Sequence, residues 1–226
     1  MNHTSSGFCI RDLRARKAVA SRGDALAVEV CLESGVTAGA AVSVCQSAEK
    51  LVALVNERLA DELVGFDARS QAALDALLVE LDGTPDQSVL PRELLFVVSA
   101  AAARAAAIQM GLPLYRWLGG ALAAGVPRLL PFGEDTVDGS IIRFVTPATV
   151  GTVSKTAAIF RDLATNPRDV KLVTTLRGDF TDETFCVDLA AALGISFVQS
   201  GWKENISLAN RLGEIVPPSP SVVLGR

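Results

Sequence analysis

One alanine-rich segment constrains the fold more than any other part of the sequence. Residues 97–110 read VVSAAAARAAAIQM, and alanine has the highest helix propensity because it has almost no side-chain entropy to lose. Gly111 and Pro113 follow, and both residue types are typical of a helix end. A helix covered with methyl groups lets neighbouring backbones approach closely. We therefore expect a thin, buried helix packed between several other elements.

The residues before this helix predict an α+β unit. Glycine-containing turns separate three stretches rich in Val, Ile and Cys, a pattern that indicates a three-stranded antiparallel meander. The stretches are Phe8–Val19, Ala25–Glu33 and Gly39–Cys45. Leucines at helical spacing predict one helix between Ser47 and Gly65 and a second that ends at Asp82. Pro91 suits the first turn of the helical run that continues into the alanine-rich segment.

The pattern changes after residue 125. Short apolar runs with little alternation now alternate with helical segments, which is typical of parallel βαβ units buried on both faces. The apolar runs are Val126–Phe132, Ile141–Thr146, Lys171–Leu176 and Ile195–Ser200, and the helical segments are Thr152–Ala164, Thr181–Leu193 and Asn205–Ile215. We expect one domain over residues 1–125 and a second over residues 126–226.

Composition excludes several classes of protein. A net charge of -4 over 226 residues gives no reason to expect nucleic acid as a partner, and no apolar run is long enough to span a membrane. The four cysteines form no C-x-x-C pair, which favours free thiols in a reducing compartment. Residues 1–16 lack the apolar stretch of a secretory signal. We expect a cytoplasmic protein, and import into an organelle stays open.

Several motifs resemble the enolase family. The sequence ELDGTPDQS at residues 80–88 is the most specific of them, and AAAIQMGLPLY at residues 105–115 supports it. The segments ASRGD, VEV and LESGV at residues 20–24, 28–30 and 32–36 resemble the opening strands of the family. The resemblance covers about residues 8–132 and resumes over residues 148–215. It implies the family's N-terminal α+β domain, followed by part of its barrel.

The barrel implied by this resemblance is truncated and incomplete. A complete α/β barrel has eight strands and about 250 residues, whereas only the four apolar runs named above are available here. The family's middle strands have no counterpart. In the intact family those strands carry the carboxylates that bind the catalytic magnesium and one of the acid–base carboxylates.

The resemblance also implies that the catalytic groups are lost. The family's general base, a lysine, aligns with Thr146, whose neutral hydroxyl cannot remove a carbon-bound proton near neutral pH. A second lysine aligns with Gln199. The family's His-Arg-Ser run aligns with Leu176, Arg177 and a glycine, so Arg177 alone is kept. Ser43 is kept from the loop that closes over the metal. We expect no catalytic residue, with Ser43 and Arg177 as possible residual ligand contacts.

A magnesium site is not expected either. Glu134, Asp135 and Asp138 form the one acidic cluster near the site, and we interpret them as solvated loop charges rather than as metal ligands. We therefore expect no metal and no cofactor, although the intact family uses magnesium.

Three functions are compatible with these residues. The first is an enolase-like pseudoenzyme that acts as a scaffold or interaction subunit, without 2-phosphoglycerate dehydratase activity. The second is a phosphopyruvate hydratase that a partner chain completes by supplying the missing strands. The third is a protein that binds a phosphate-type ligand at Arg177.

The missing strands predict a surface for a partner. Four parallel strands cannot close a barrel, so two edges stay open, and open edges pair readily with other chains. We expect a protein partner or a second copy to cover residues at these edges, namely Leu129, Leu130, Ile141, Ile142, Phe197 and Val198. The alternative is a compact monomer in which the loops 119–125 and 134–139 fold over the gap.

Overall fold

The computed structural model describes two sheets and the helices around them. It describes residues 7–20, 23–84, 89–120, 123, 127–130, 136–137, 140–164, 170–176, 184–195, 197–200 and 206–215. The first sheet is an antiparallel meander, as predicted, in the order β1-β2-β3. Its strands are β1 (Ile10–Ala20), β2 (Gly23–Leu32) and β3 (Thr37–Ser43). One face of the sheet carries alternating buried residues and packs on the first core.

The helices that follow the meander cover this face and one edge of the sheet. They are α1 (Ala48–Leu54), a π-helical turn (Val55–Leu59), α2 (Ala60–Leu63), α3 (Gln71–Asp82), α4 (Arg92–Gln109) and α5 (Leu114–Gly119). The π-helical turn was not predicted. It carries Asn56, whose side-chain amide bonds to both backbone groups of Ala15 in β1, at 2.7 and 3.1 Å. This pairing satisfies part of the outer edge of β1.

Helix α4 is the predicted alanine-rich helix and lies at the centre of the molecule. It is 18 residues long, and every residue from Leu94 to Ala107 is buried except Arg104. Gly111 has a φ of 66°, and the amides of Gly111 and Leu112 donate to the carbonyls of Ile108 and Ala107. This is a Schellman ending, and it requires a residue that tolerates positive φ.

The second sheet contains the four predicted parallel strands and one additional strand. The predicted strands are β4 (Arg128–Leu130), β6 (Ser140–Val145), β7 (Val170–Leu176) and β8 (Phe197–Ser200). The additional strand, β5 (Thr136–Val137), pairs antiparallel with β6. The helices of this half are α6 (Pro147–Val150), α7 (Val153–Ala164), α8 (Thr184–Leu193) and α9 (Ile206–Ile215).

The order of this sheet corrects the expected edges. The order is β4-β8-β7-β6-β5, so β8 is paired on both sides, and the prediction that Phe197 and Val198 lie at an open edge is wrong. The order of the strands along the chain did not reveal this, because β8, the last strand, lies between β4 and β7 in the sheet. At the other side, Ile141 lies opposite Thr136 of β5. Among the described strands, β4 and β5 form the edges.

A shared hydrophobic core joins the two predicted domains. The larger core cluster contains buried residues of α4 and of the meander, together with Val153 of α7 and Phe185 and Leu189 of α8. The ring of Phe185 meets that of Phe96 edge to face, with 5.4 Å between the ring centroids. The division at residue 125 stays a prediction. All four cysteines are free thiols, as expected. Among the described residues, no helix is both long and apolar enough to cross a membrane.

The contact between α5 and α8 predicts the effect of an alanine substitution. A Cβ atom at Gly119 would lie 2.7 Å from the Cα of Ala192, so we expect Gly119→Ala to lower the free energy of unfolding by about 1–3 kcal/mol. Urea denaturation measures this change. The matched control is Gly213→Ala in α9, where an added Cβ meets nothing within 4 Å and the free energy of unfolding should not fall. Equal effects of the two substitutions would contradict close packing at Gly119.

Candidate functional site

The carboxyl ends of the parallel strands meet at one edge of the second sheet. Gln199 of β8 lies opposite both Leu130 of β4 and Thr175 of β7. Leu176, the next residue of β7, lies opposite Ser200. This edge is where open parallel sheets and α/β barrels place their ligands. The structure therefore brings two of the predicted positions, Leu176 and Gln199, to an edge suited to a site.

Thr146 reaches the same edge from β6. It follows Val145, which pairs with Thr174, and Pro147 holds it in an extended conformation with φ −102° and ψ 109°. The Thr146 carbonyl accepts hydrogen bonds from the amide and the hydroxyl of Thr149, at 3.0 and 2.9 Å. Its side chain makes no capping hydrogen bond to helix α6. Thr146 is half-buried, and its hydroxyl has no acid–base function near neutral pH.

The other predicted site residues lie in a different element or outside the described residues. Ser43 ends β3, in the first sheet, and is half-buried. Arg177 lies outside the described residues, as do the acidic residues Glu134, Asp135 and Asp138. Among the residues that are described, no group of three or more His, Cys, Asp or Glu side chains is placed to hold a metal ion. Mg²⁺ binds through oxygen ligands, usually including carboxylates, and the expectation that no metal binds stays a prediction.

A buried polar network joins α3 and α4 to the first turn of α7. The Asp75 carboxylate accepts hydrogen bonds from the Ser99 hydroxyl (2.6 Å), the Gln71 amide (3.0 Å) and the backbone amide of Ser154 (2.8 Å). The Ser99 oxygen also accepts from the backbone amide of Val153, at 3.0 Å. Asp75 is 3% exposed and Ser99 is 0% exposed. We call this set of residues the Asp75 network.

The Asp75 network caps a helix of the other half of the chain. The hydroxyl of Thr152 accepts from the amide of Lys155, so the first three backbone N–H groups of α7 all have an acceptor. Two of these acceptors come from α3 and α4 rather than from the helix itself. A carboxylate at this position also interacts favourably with the positive end of the helix dipole. Burial raises the pKa of Asp75, and the hydrogen bonds from Ser99 and Ser154 offset only part of that rise.

A second buried carboxylate, Asp188, makes a similar contact in the opposite direction, from the C-terminal half to a helix of the N-terminal half. Asp188 of α8 is 2% exposed and accepts from the backbone amide of Tyr115, at 3.2 Å, in the first turn of α5. Both of its oxygens bind the Arg211 guanidinium, at 2.9 and 2.5 Å, which also binds Glu214. Burial raises the pKa of Asp188, while Arg211 and Arg104 act to lower it. Asp188 thus bonds to the first turn of a helix from the N-terminal half.

The LDGT motif forms a structural loop. The Asp82 carboxylate accepts hydrogen bonds from the backbone amides of Thr84 (3.0 Å), Val89 (3.1 Å) and Leu90 (2.5 Å). Burial acts to raise the pKa of Asp82, but the hydrogen bonds from Thr84, Leu90 and Val89 outweigh it, and the pKa lies below its usual value. Asp82 therefore connects the end of α3 to the start of α4.

Sequence reasoning missed the residues of both networks. Asp75 shares a buried stripe of α3 with Leu74 and Leu78, and a lone acid inside an apolar helical stripe was the available signal. Asp188 gives a similar signal within the apolar helix α8, which is buried all round. In both cases the sequence shows an acidic residue within an apolar helix, but it does not show which backbone amide of the other half bonds to that residue.

Comparisons with known proteins identify relatives of part of the chain. Residues 43–118 match the family model described as enolase, N-terminal domain. The enolase of Campylobacter jejuni subsp. jejuni serotype O:2 (strain ATCC 700819 / NCTC 11168) is 41% identical over 139 residues, which covers 52% of this chain and 34% of the relative. The enolase of Campylobacter jejuni strain RM1221 gives the same values. The chain thus matches about a third of the length of these curated relatives.

Removal of the Ser99 hydroxyl tests the Asp75 network. Ser99→Ala leaves the buried amide of Val153 without an acceptor and removes one donor to Asp75. An unsatisfied buried polar group costs about 1–3 kcal/mol, so we expect a loss of that size in the free energy of unfolding. The control is Ser43→Ala, at a half-buried strand end, where a change within about 0.5 kcal/mol is expected. A neutral Ser99→Ala would contradict the capping role.

The raised pKa of Asp75 predicts an unusual pH dependence. A carboxyl whose pKa is higher in the folded state stabilises that state most below its ordinary value of 3.8, and this contribution is lost as the pH rises through the raised pKa. The free energy of unfolding of the wild type, relative to Asp75→Asn, should therefore fall as the pH rises above 3.8 and level off once the pH is above the raised pKa.

Urea denaturation at a series of pH values measures this difference. Asp82→Asn provides a control of opposite sign, because the pKa of Asp82 is lowered. The stability that ionised Asp82 contributes should be lost as the pH falls below its ordinary value. Parallel wild-type and Asp75→Asn curves above the ordinary aspartate pKa would refute the prediction.

Proposed function

Since this chain is a member of the enolase family through its N-terminal domain, we propose that it is a pseudoenzyme that acts as a scaffold or interaction subunit of a larger assembly. In this proposal it has no 2-phosphoglycerate dehydratase activity of its own and works in the cytoplasm. A shared fold does not by itself establish a shared reaction, so the residues at the carboxyl edge carry the proposal.

The main support is the nature of the side chain at Thr146. Removal of a proton next to a carboxylate needs a positioned base and strong stabilisation of the negative charge that develops. The family's base aligns with Thr146, at the carboxyl end of β6, and a hydroxyl cannot take that role. The described residues also offer no cluster of metal ligands, and Gln199 stands where the family has a second lysine. These three features favour a non-catalytic role.

The strand order supports a truncated barrel as the origin of the second sheet. In a closed parallel barrel the first and last strands are neighbours. Here β4, the first strand of this half, pairs with β8, the last strand, and β7 and β6 follow in turn. An eight-stranded barrel that lost the consecutive strands after its first would leave this order. We propose that the sheet is such a remnant and that a protein partner or a second copy covers the edge at β4.

The same order favours one second candidate. Because one side of β4 has no partner among the described strands, a different chain that supplies the missing strands and carboxylates would extend the sheet there. In that case the chain is part of a phosphopyruvate hydratase, and activity depends on the partner.

An assay with 2-phosphoglycerate and magnesium tests the proposal. Loss of a general base alone costs on the order of a hundred- to ten-thousand-fold in rate. We therefore expect the purified chain to turn over 2-phosphoglycerate at least about a hundred-fold more slowly than a Campylobacter jejuni enolase assayed beside it. Native mass spectrometry of the chain as purified from its own cells identifies any bound protein.

The outcomes separate the two candidates. A stable complex without turnover is the expected result. Magnesium-dependent turnover by the complex but not by the isolated chain would establish the second candidate. Turnover by the isolated chain at rates near those of the control enolase would overturn both.

A further inference from the structure

A cleft with one apolar wall and one charged wall is lined by residues of both halves of the chain. Its volume is about 430 Å³, which falls in the size range of small-molecule sites. The apolar wall comes from the end of α4 and the start of α5, and includes Ile108, Leu112 and Leu114. The charged wall comes from α8 and α9, and includes Asp188, Arg211 and Glu214.

The apolar wall is left open to solvent. Ile108 is 54% exposed and Leu112 is 41% exposed, whereas Leu114 is buried at the base of the wall. The Schellman ending at Gly111 fixes this shape, because it turns the chain sharply between Ile108 and Leu112. An apolar body placed here would remove exposed hydrocarbon from water, which is favourable in proportion to the area buried.

The charged wall presents a guanidinium that is already oriented. Arg211 donates through Nε and Nη2 to the two oxygens of Asp188 and through Nη1 to Glu214. A guanidinium has five N–H donors, so both Nη atoms keep a further N–H beyond these bonds. Because the bidentate contact with buried Asp188 holds the group in place, little entropy remains to be lost when an anion binds.

Glu214 occupies the position that an anion would take. Its side chain is 61% exposed and bonds to Arg211 alone among the described residues, and exposed ion pairs contribute little stability. A second fixed guanidinium lies on the α4 side, since Arg104 donates to the carbonyl of Gly39 at 2.9 Å and to the hydroxyl of Thr184 at 3.2 Å. Two guanidinium groups, Arg104 and Arg211, and two carboxylates, Asp188 and Glu214, therefore line the cleft.

From this arrangement we infer that the cleft binds a small monocarboxylate with an apolar body, such as a medium-chain aliphatic acid. The ligand carboxylate replaces Glu214 on Arg211, and its hydrocarbon lies on Ile108 and Leu112. Carboxylate pairing with guanidinium gives orientation, and the apolar wall supplies most of the affinity. The inference does not depend on the pseudoenzyme proposal, because no residue of the carboxyl edge takes part.

Isothermal titration calorimetry with octanoate, below its micellar concentration, tests this inference on the full chain. Wild type should bind octanoate, and octanol and octylamine should each bind at least about tenfold more weakly, because they lack the charge that Arg211 pairs with. Ile108→Asn should weaken octanoate binding about tenfold through loss of apolar contact. Glu214→Gln should tighten it by up to about fivefold, since an exposed competing pair is worth at most about 1 kcal/mol.

A substitution outside the cleft serves as the control. Val79→Asn alters an exposed apolar residue of α3 that does not line the cleft, and should leave octanoate binding unchanged. Arg211 itself is not substituted, because that would leave Asp188 buried without its partner. No octanoate binding up to about 10 mM, equal binding of octanol, or an unchanged affinity in Glu214→Gln would each overturn the inference. So would a dimer that Ile108→Asn dissociates, if octanoate does not bind.

Discussion

Two buried carboxylates that contact helices across the chain hold its two halves together. Asp75 lies in the N-terminal half and caps the first turn of α7, whereas Asp188 lies in the C-terminal half and bonds to the first turn of α5. Helix N-termini carry unsatisfied N–H groups and a partial positive charge. Neither helix end would be fully satisfied if the halves were separated. The fold therefore depends on contacts that each half makes for the other.

This dependence explains why the halves share one core. The alanine-rich α4 lets the meander and the C-terminal helices approach it from several sides, and its residue Phe96 meets Phe185 of α8 edge to face. The contact between α4 and α8 therefore joins the C-terminal half of the chain to a helix of the N-terminal half. The proposed interaction role rests on the side chains that the chain carries at the carboxyl edge, namely Thr146 and Gln199.

The sequence predicts local features well and relations between distant segments poorly. The end of α4 was predictable, because a glycine at residue 111 is required where φ is positive. The meander was predicted from its stretches rich in Val, Ile and Cys and from the glycine-containing turns between them. The place of β8 was not, because strand order depends on pairing between segments far apart in sequence. The Asp75 network was missed for the same reason: the acid is visible in the α3 pattern, but its partners, Ser99 and the amide of Ser154, come from other elements.

Native-state hydrogen exchange tests most directly whether the two halves form one cooperative unit. The backbone amides of Val153 and Ser154, at the start of α7, report on the contact between the halves, and the buried amides of α4 report on global unfolding. If each half caps a helix of the other, the slowest-exchanging amides of α7 and α8 should exchange with the same opening free energy, and the same denaturant dependence, as those of α4. Exchange of α7 and α8 through a separate opening of lower free energy, while α4 stays protected, would contradict this account.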